Sequence, residues 1–238
     1  MLTVVTFKWE PTNPGFRSKY NGEHVNVLAR MVARHYPEPH RFVCISDSDL
    51  GLSGTEVEFH GLWNDYKEIG APQGQRNPSC YRRLKMFDAQ YVRKHFGDRT
   101  VQLDLDAVIL DDLRPLWNRP DPICLLKGTN PTVHYNGSML LKDWDANEEV
   151  WTDFDPVKSP QITRDLGVFG SDQAWLSFRL GPNKATWSQE DGVYSFRNDI
   201  SNNGMRKPDN ARIVFFQGQH DPWDPMPQKV EWIRENWK

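Results

Sequence analysis

Cysteine is scarce in this chain: Cys44, Cys80 and Cys124 are an odd number with no paired spacing. That pattern excludes a disulfide framework and a zinc site built on Cys pairs, and it predicts reduced thiols in or near the core of a cytoplasmic protein. Long apolar runs are also missing. No stretch approaches the ~20 residues of a bilayer-spanning helix, and Met1 leads into a strand pattern without the regions of a signal peptide, so no transmembrane segment is expected. Basic charge is not in excess: 29 Lys and Arg stand against 32 Asp and Glu, a net charge of −3. A surface that coats polyanions is therefore disfavoured, although a local basic groove would not show in a total. Behind the first apolar strand there is no Gly-rich, Lys-bearing phosphate loop; Lys8, Trp9, Glu10 and Pro11 stand there instead. Aromatic residues are plentiful. Ten Trp and twelve Phe exceed the needs of a minimal core and leave rings free to line a cleft.

With 238 residues the chain can bury one full core. Leu2–Phe7 is a β-branched and aromatic run, Val25, Leu28, Met31 and Val32 recur at helical spacing until Pro37 and Pro39, and Arg41–Ser46 is apolar again. Strand, helix, strand predicts a βαβ unit in an α/β fold. Such sheets bind ligands beyond the carboxyl ends of their strands, where Thr6, Phe7 and Asp47 would lie. Ser79 is a candidate cap for a helix through Tyr81–His95, with Arg82, Arg83 and Lys85 near its start. Helix-surface arginines are usually solvated, but here one could reach over the sheet end toward phosphates or carboxylates.

The next run, Val101-Gln-Leu-Asp-Leu-Asp106, carries two carboxylates two residues apart inside an apolar stretch. In a strand such residues share a side, and two buried carboxylates are expensive unless a cation lies between them; an Asp-rich turn at a strand end is the plainer alternative. Further on, Asn136-Gly137-Ser138 runs into an apolar strand: Asn136 can donate and accept at once, Gly137 allows close backbone approach, and Asn-Gly is also a common turn. Ser171 is a candidate helix cap, with Asp172 and Gln173 in the first turn, where an Asp gains from unpaired amides. His220 follows the apolar strand Arg212–Phe216, as a metal ligand or phosphate contact would, and surface His is common as well.

In combination these segments resemble the nucleotide-sugar-dependent glycosyltransferases of the GT-A fold, in particular the retaining glycogenin and lipopolysaccharide galactosyltransferase-like group, over most of the chain. Val101–Asp106 is similar to the DxD element, Tyr81–Lys85 to the basic helix ahead of it, Asn136–Ser138 to the Asn-x-Gly segment around the donor sugar, and Asp172-Gln173 to the Asp-Gln pair beside the anomeric carbon. The resemblance implies a single GT-A Rossmann-like domain: a mixed, mainly parallel sheet flanked by helices, with a nucleotide-binding half over about 1–112 and a sugar and acceptor half over about 113–238. It implies Mn²⁺, or Mg²⁺, held by Asp104, Asp106 and His220, and a catalytic set of Asp172, Gln173 and Asn136. On the donor side stand Thr6, Phe7, Trp9, Arg83, Lys85, Asp104, Leu105, Gly137, Ser138 and Gly218. The chain departs from the pattern near its end: Phe215 stands where a metal-binding His is expected, and Asp221 where a diphosphate-binding Lys is expected. Hexose transfer from a nucleoside diphosphate sugar, UDP-sugar first, to a saccharide or glycoconjugate is the implied reaction, with retention of the anomeric configuration. The outer segments Gly61–Pro78, with Trp63, Tyr66, Gln75 and Arg76, and Trp144–Arg164 are the expected acceptor readers; a modified DNA base is a second acceptor class. A nucleotidyltransferase and a non-catalytic nucleotide- or sugar-binding module are the alternatives.

Overall fold

Leu2–Lys8 is buried almost throughout, as a β-branched run covered on both faces must be, and it forms the interior strand β1. The structure, a computed structural model, describes residues 1–10, 19–70, 79–168 and 170–238. Beside β1 stand β2 (His40–Ser46), β3 (Glu58–Gly61), β4 (Arg99–Leu103), β5 (Ala107–Ile109), β6 (Ile123–Asn130), β7 (Val133–Asp143), β8 (Ala185–Trp187), β9 (Val193–Ser195) and β10 (Ile213–Phe215). Seven of them make one sheet in the order β3-β2-β1-β4-β7-β6-β8. Its pairs are parallel except where β7 runs against β4 and β6. A second sheet has the order β5-β10-β9, and its Ala107, Ile109, Ile213 and Phe215 share the core that lies under the large sheet.

Helix α1 (Gly22–His35) covers one face of the large sheet. Val25, Leu28, Met31 and Val32 are fully buried against Val4, Val101 and Leu103, as their spacing requires. Asn21 caps the helix by accepting from the His24 amide at 3.1 Å. The other face is covered by Leu84 and Phe87 and by Trp175 and Leu176, which meet Leu125 and Leu140.

The expected helix over Tyr81–His95 is in fact two pieces. A 3-10 turn spans Tyr81–Phe87, Asp88 is extended, and α2 (Ala89–Phe96) starts afresh with the Asp88 carboxylate accepting from the Tyr91 amide at 3.1 Å. An Asp that bonds backbone three residues ahead competes with a continuous helix, which explains the break. The tighter turn has a functional consequence, because residues three apart eclipse one another. Arg82 and Lys85 both turn toward the Trp63 to Asp65 segment, while Arg83 is left to face the sheet end.

Lys142 on β7 is fully buried; its ammonium donates to the Trp144 carbonyl at 3.0 Å and lies 5.3 Å from the centre of the Phe87 ring. Burial pushes it down from 10.5 to about 8, against the pull of Asp145, Asp143 and Glu148. The folded chain thus holds this proton less tightly than the unfolded chain. The group's destabilising effect is complete below pH 8 and disappears as pH rises toward 10.5. Compared with Lys142→Met, the wild type should therefore gain on the order of 3 kcal/mol across that window. Thermal unfolding of both proteins across the window checks this, and parallel curves would refute it.

Candidate active site

The large sheet gives up its fourth strand at Leu103, and the chain crosses to the small sheet within three residues. The Asp104 amide donates to the Ser138 carbonyl at 2.9 Å, the Asp106 carbonyl accepts from the Phe216 amide at 2.7 Å, and β5 begins at Ala107. Asp104 and Asp106 therefore do not share a strand face, as the spacing suggested. They sit on the link between two sheets, at the carboxyl ends of the parallel strands, and both are partly exposed.

Arg83 reaches this link from the 3-10 turn. Its Nη1 donates to Asp104 Oδ1 at 2.7 Å and to the Gly137 carbonyl at 3.3 Å, and its Nε donates to Asp172 Oδ2 at 2.7 Å. One guanidinium thus ties the acidic link, β7 and α6 (Asp172–Leu180) together, in the multidentate manner that a lysine cannot reproduce. Burial would lower Arg83, but the carboxylates of Asp172 and Asp104 outweigh it and hold the group well above its ordinary value. Asp104 is pushed up by burial, against the pull of Arg83 and the Ser138 hydroxyl.

Asn136 and Gly137 lie within β7, so the turn reading of Asn-Gly gives way to a strand whose pairing with β6 is irregular at Leu125/Leu126. Gly137 is required by packing: a Cβ there would stand 2.6 Å from Arg83 Nη2 and 3.3 Å from Asp172 Oδ2. Asn136 Oδ1 accepts from the Ser138 amide at 2.8 Å. Ser138 in turn accepts from Gln217 Nε2 at 3.1 Å. Asp172 is buried at the start of α6. Ser171 does not cap that helix through its side chain; its hydroxyl instead donates to Asp172 Oδ1 at 3.3 Å and accepts from the Cys80 amide at 3.1 Å. Gly170, at φ +122°, leaves the space that Gln173 fills.

Of the other expected residues, Thr6 is buried with its hydroxyl unpaired, while Phe7 meets Trp9 and Trp63 edge-on at 5.9 and 5.8 Å. Lys85 is held by Asp65 at 2.7 Å. Leu105 is buried in the core, so only its backbone faces the link. Gly218, at φ +113°, follows β10, and His220 lies two residues beyond with its ring 6.4 Å from Phe196. Among the described residues no three His, Cys, Asp or Glu side chains are grouped to hold a metal ion, so Asp104, Asp106 and His220 do not form the expected triad. The reason is local: β10 ends in a fully buried Phe215 opposite Ala107, and His220 comes only five residues later. Gln75 and Arg76 lie outside the described residues; Tyr66 packs on Trp151 and Phe154, joining the two outer segments.

Two features went unread in the sequence. Gln102, the one polar residue in Val101–Leu103, points its amide at the Gly137 carbonyl at 3.4 Å, and its isolation in an apolar run was a usable signal. A cavity of about 330 Å³ opens beside Asn136 and Gln217, lined also by Thr129, Gln189 and Tyr194 over a buried Trp187. It is assembled from segments far apart in the chain, which no local pattern reveals.

No family model matches the sequence, and no curated protein matches it. Solved structures do match in shape. The Q189E active-site mutant of LgtC has a TM-score of 0.63 at 15% identity, with 98% of this chain and 93% of that one covered. The galactosyltransferase LgtC in complex with donor and acceptor sugar analogues gives 0.59 at 14%, with 99% and 95% covered. GlyE, a glycosyltransferase of Streptococcus pneumoniae TIGR4, gives 0.58 at 13%; this chain is wholly covered but spans 62% of that one. What the chain shares with these glycosyltransferases is the fold, the GT-A Rossmann-like arrangement of a mixed, mainly parallel sheet flanked by helices.

Proposed function

We propose that the chain transfers a hexosyl group from a nucleoside diphosphate sugar, a UDP-sugar in the first instance, to an acceptor hydroxyl with retention at the anomeric carbon. The observation that carries this reading is Arg83 spanning Asp104 and Asp172 beneath Gly137, at the sheet end where α/β folds bind nucleotides. Thr6, Phe7 and Trp9 stand at the carboxyl end of β1; Thr6 is fully buried, so the partly exposed Phe7 and Trp9 rings are the partners offered to the nucleoside. Asp172, paired with Arg83 at 2.7 Å, orients the donor sugar and stabilises positive charge at its anomeric carbon, while Asn136 and Gln173 hold its hydroxyls. The bond from that carbon to the leaving phosphate breaks as the bond to the acceptor oxygen forms on the same face. The acceptor proton passes to the leaving phosphate.

Asp104 and Asp106 are two hard oxygen donors, the set that suits Mn²⁺ or Mg²⁺ completed by substrate phosphate and water, without need of a third protein ligand. Such an ion offsets charge on the leaving nucleotide when bound. For the acceptor, the cavity beside Asn136 and Gln217 is the better candidate than the outer aromatic segments, because it adjoins a residue of the sugar site. A polar cleft over an apolar floor suits a saccharide. Residues 1–112 then supply most of the nucleotide side and 113–238 the sugar and acceptor side.

Calorimetry with nucleoside diphosphates should show binding that strengthens with Mn²⁺ or Mg²⁺ and is lost in the Asp104→Asn/Asp106→Asn double variant. Unchanged binding in that variant would sink the assignment. Release of nucleoside diphosphate from sugar donors supports transfer, whereas pyrophosphate release from a nucleoside triphosphate and sugar phosphate would replace it with nucleotidyl transfer.

A further inference from the structure

A diphosphate brings negative charge that the cations around Asp104 are poorly placed to meet. Arg83 is committed to two carboxylates, Lys85 to Asp65, and Lys8, buried at the end of β1, lies 3.9 Å from Asp47. Arg197 differs. It is exposed, follows β9 in the small sheet, and its guanidinium makes no hydrogen bond or ion pair among the described residues. It also lies against the loop that leaves β10: a Cβ built at Gly218 would stand 3.0 Å from Arg197 Cδ and 3.5 Å from its Nη1. A side chain there would make the arginine give way by a few tenths of an ångström, and the backbone, at φ +113°, favours glycine as well. Among the described residues the amides of Gln217, Gly218, Gln219 and His220 make no hydrogen bond, so free N–H donors lie beside a free guanidinium. The loop is joined to the acidic link on its other side, through Phe216 to Asp106 and through Gln217 and Ser138 to the strand that holds Asp104. Lys127 is also unpaired, but it lines the acceptor cavity from β6 and does not touch this loop in the contacts described.

We propose that Arg197 is the cation that receives the donor's diphosphate, reaching it across Gly218 together with the free amides of that loop; this rests on the nucleotide-sugar reading above. A guanidinium offers a phosphate two parallel donors, and oriented backbone amides add to an anion site without a further charge to neutralise. His220, set apart from any metal-holding group, then serves the same anion as a donor.

The test compares the wild type with Arg197→Ala and Arg197→Lys by calorimetric titration or competition. The probes are UDP, GDP, ADP, CDP and TDP with MnCl₂, each beside its own nucleoside. For the nucleoside diphosphate that binds, Arg197→Ala should weaken affinity by about 10- to 100-fold and leave the matching nucleoside within about 2-fold, a difference well below one hydrogen bond. Arg197→Lys should fall between the two, having charge without the planar fork. Arg197 is exposed, so unchanged thermal unfolding should accompany these effects. Equal loss for diphosphate and nucleoside, or no loss for either, would overturn the proposal while wild-type binding and sugar transfer left the enzyme reading standing. A wild type that binds none of the five diphosphates would overturn both.

Discussion

Arg83→Ala should abolish most donor turnover and destabilise the fold together, because one side chain serves both. The guanidinium is 11% exposed and lies between Asp104, at 30%, and Asp172, at 5%. Its removal leaves two carboxylates facing one another without a cation, the situation in which breaking a buried pair destabilises by about 3–5 kcal/mol. Turnover should drop by about 10³-fold or more, the scale seen when a preorganised charge is lost from an active site. The dependence on pH has a definite sign. Burial already holds the Asp104 carboxyl above its ordinary value while Arg83 pulls it down, so deleting Arg83 raises it further. The folded variant then binds protons more tightly than its unfolded chain, and its stability deficit relative to wild type narrows as pH falls through that raised value. Thermal unfolding between pH 4 and 8 (about the span over which a raised Asp would titrate) reads this directly. A deficit that widened toward acid, or a variant with ordinary turnover, would show that Arg83 is a surface residue in effect.

Asp172→Asn should separate binding from chemistry. The substitution keeps the shape of the side chain and removes its charge, leaving Arg83 Nε a neutral oxygen to meet. If Asp172 stabilises positive charge at the anomeric carbon, kcat should fall by about 10²- to 10³-fold. The donor KM should change only a few-fold, since the nucleotide is held elsewhere. A large rise in KM with kcat intact would reduce Asp172 to a donor-binding residue. Following the product anomer by NMR completes the measurement: an inverted product excludes front-face transfer even where transfer itself is confirmed.

The parts of this fold that local chemistry controls were legible in the sequence. The α1 apolar stripe, the largely buried β1 and β2, and the start of α6 at Asp172 each stand where pattern put them. The family resemblance put Arg83 and Lys85 on the donor side, but local pattern alone did not separate Arg83 from Arg82 and Lys85. That separation depends on Asp88, whose capping bond turns the expected helix into a 3-10 turn. The Asp104 and Asp106 pair was visible, whereas the change of sheet between them was not. An apolar run interrupted by two Asp reads the same whether its halves pair with one partner sheet or two. Arg197 carried no local signal at all, since only the return of β10 beside β9 brings it to Gly218.

That change of sheet makes the acidic link a tether of fixed length. Asp104 is pinned to one sheet through Ser138 and Asp106 to the other through Phe216, yet only two Cα steps separate them, a span that cannot exceed about 7 Å. Whatever the angle between the two sheets, the backbone positions of the two acids cannot be drawn further apart than that. The backbone spacing of the acids is thus set by covalent bonds, and side-chain rotamers and packing govern where the carboxylates aim.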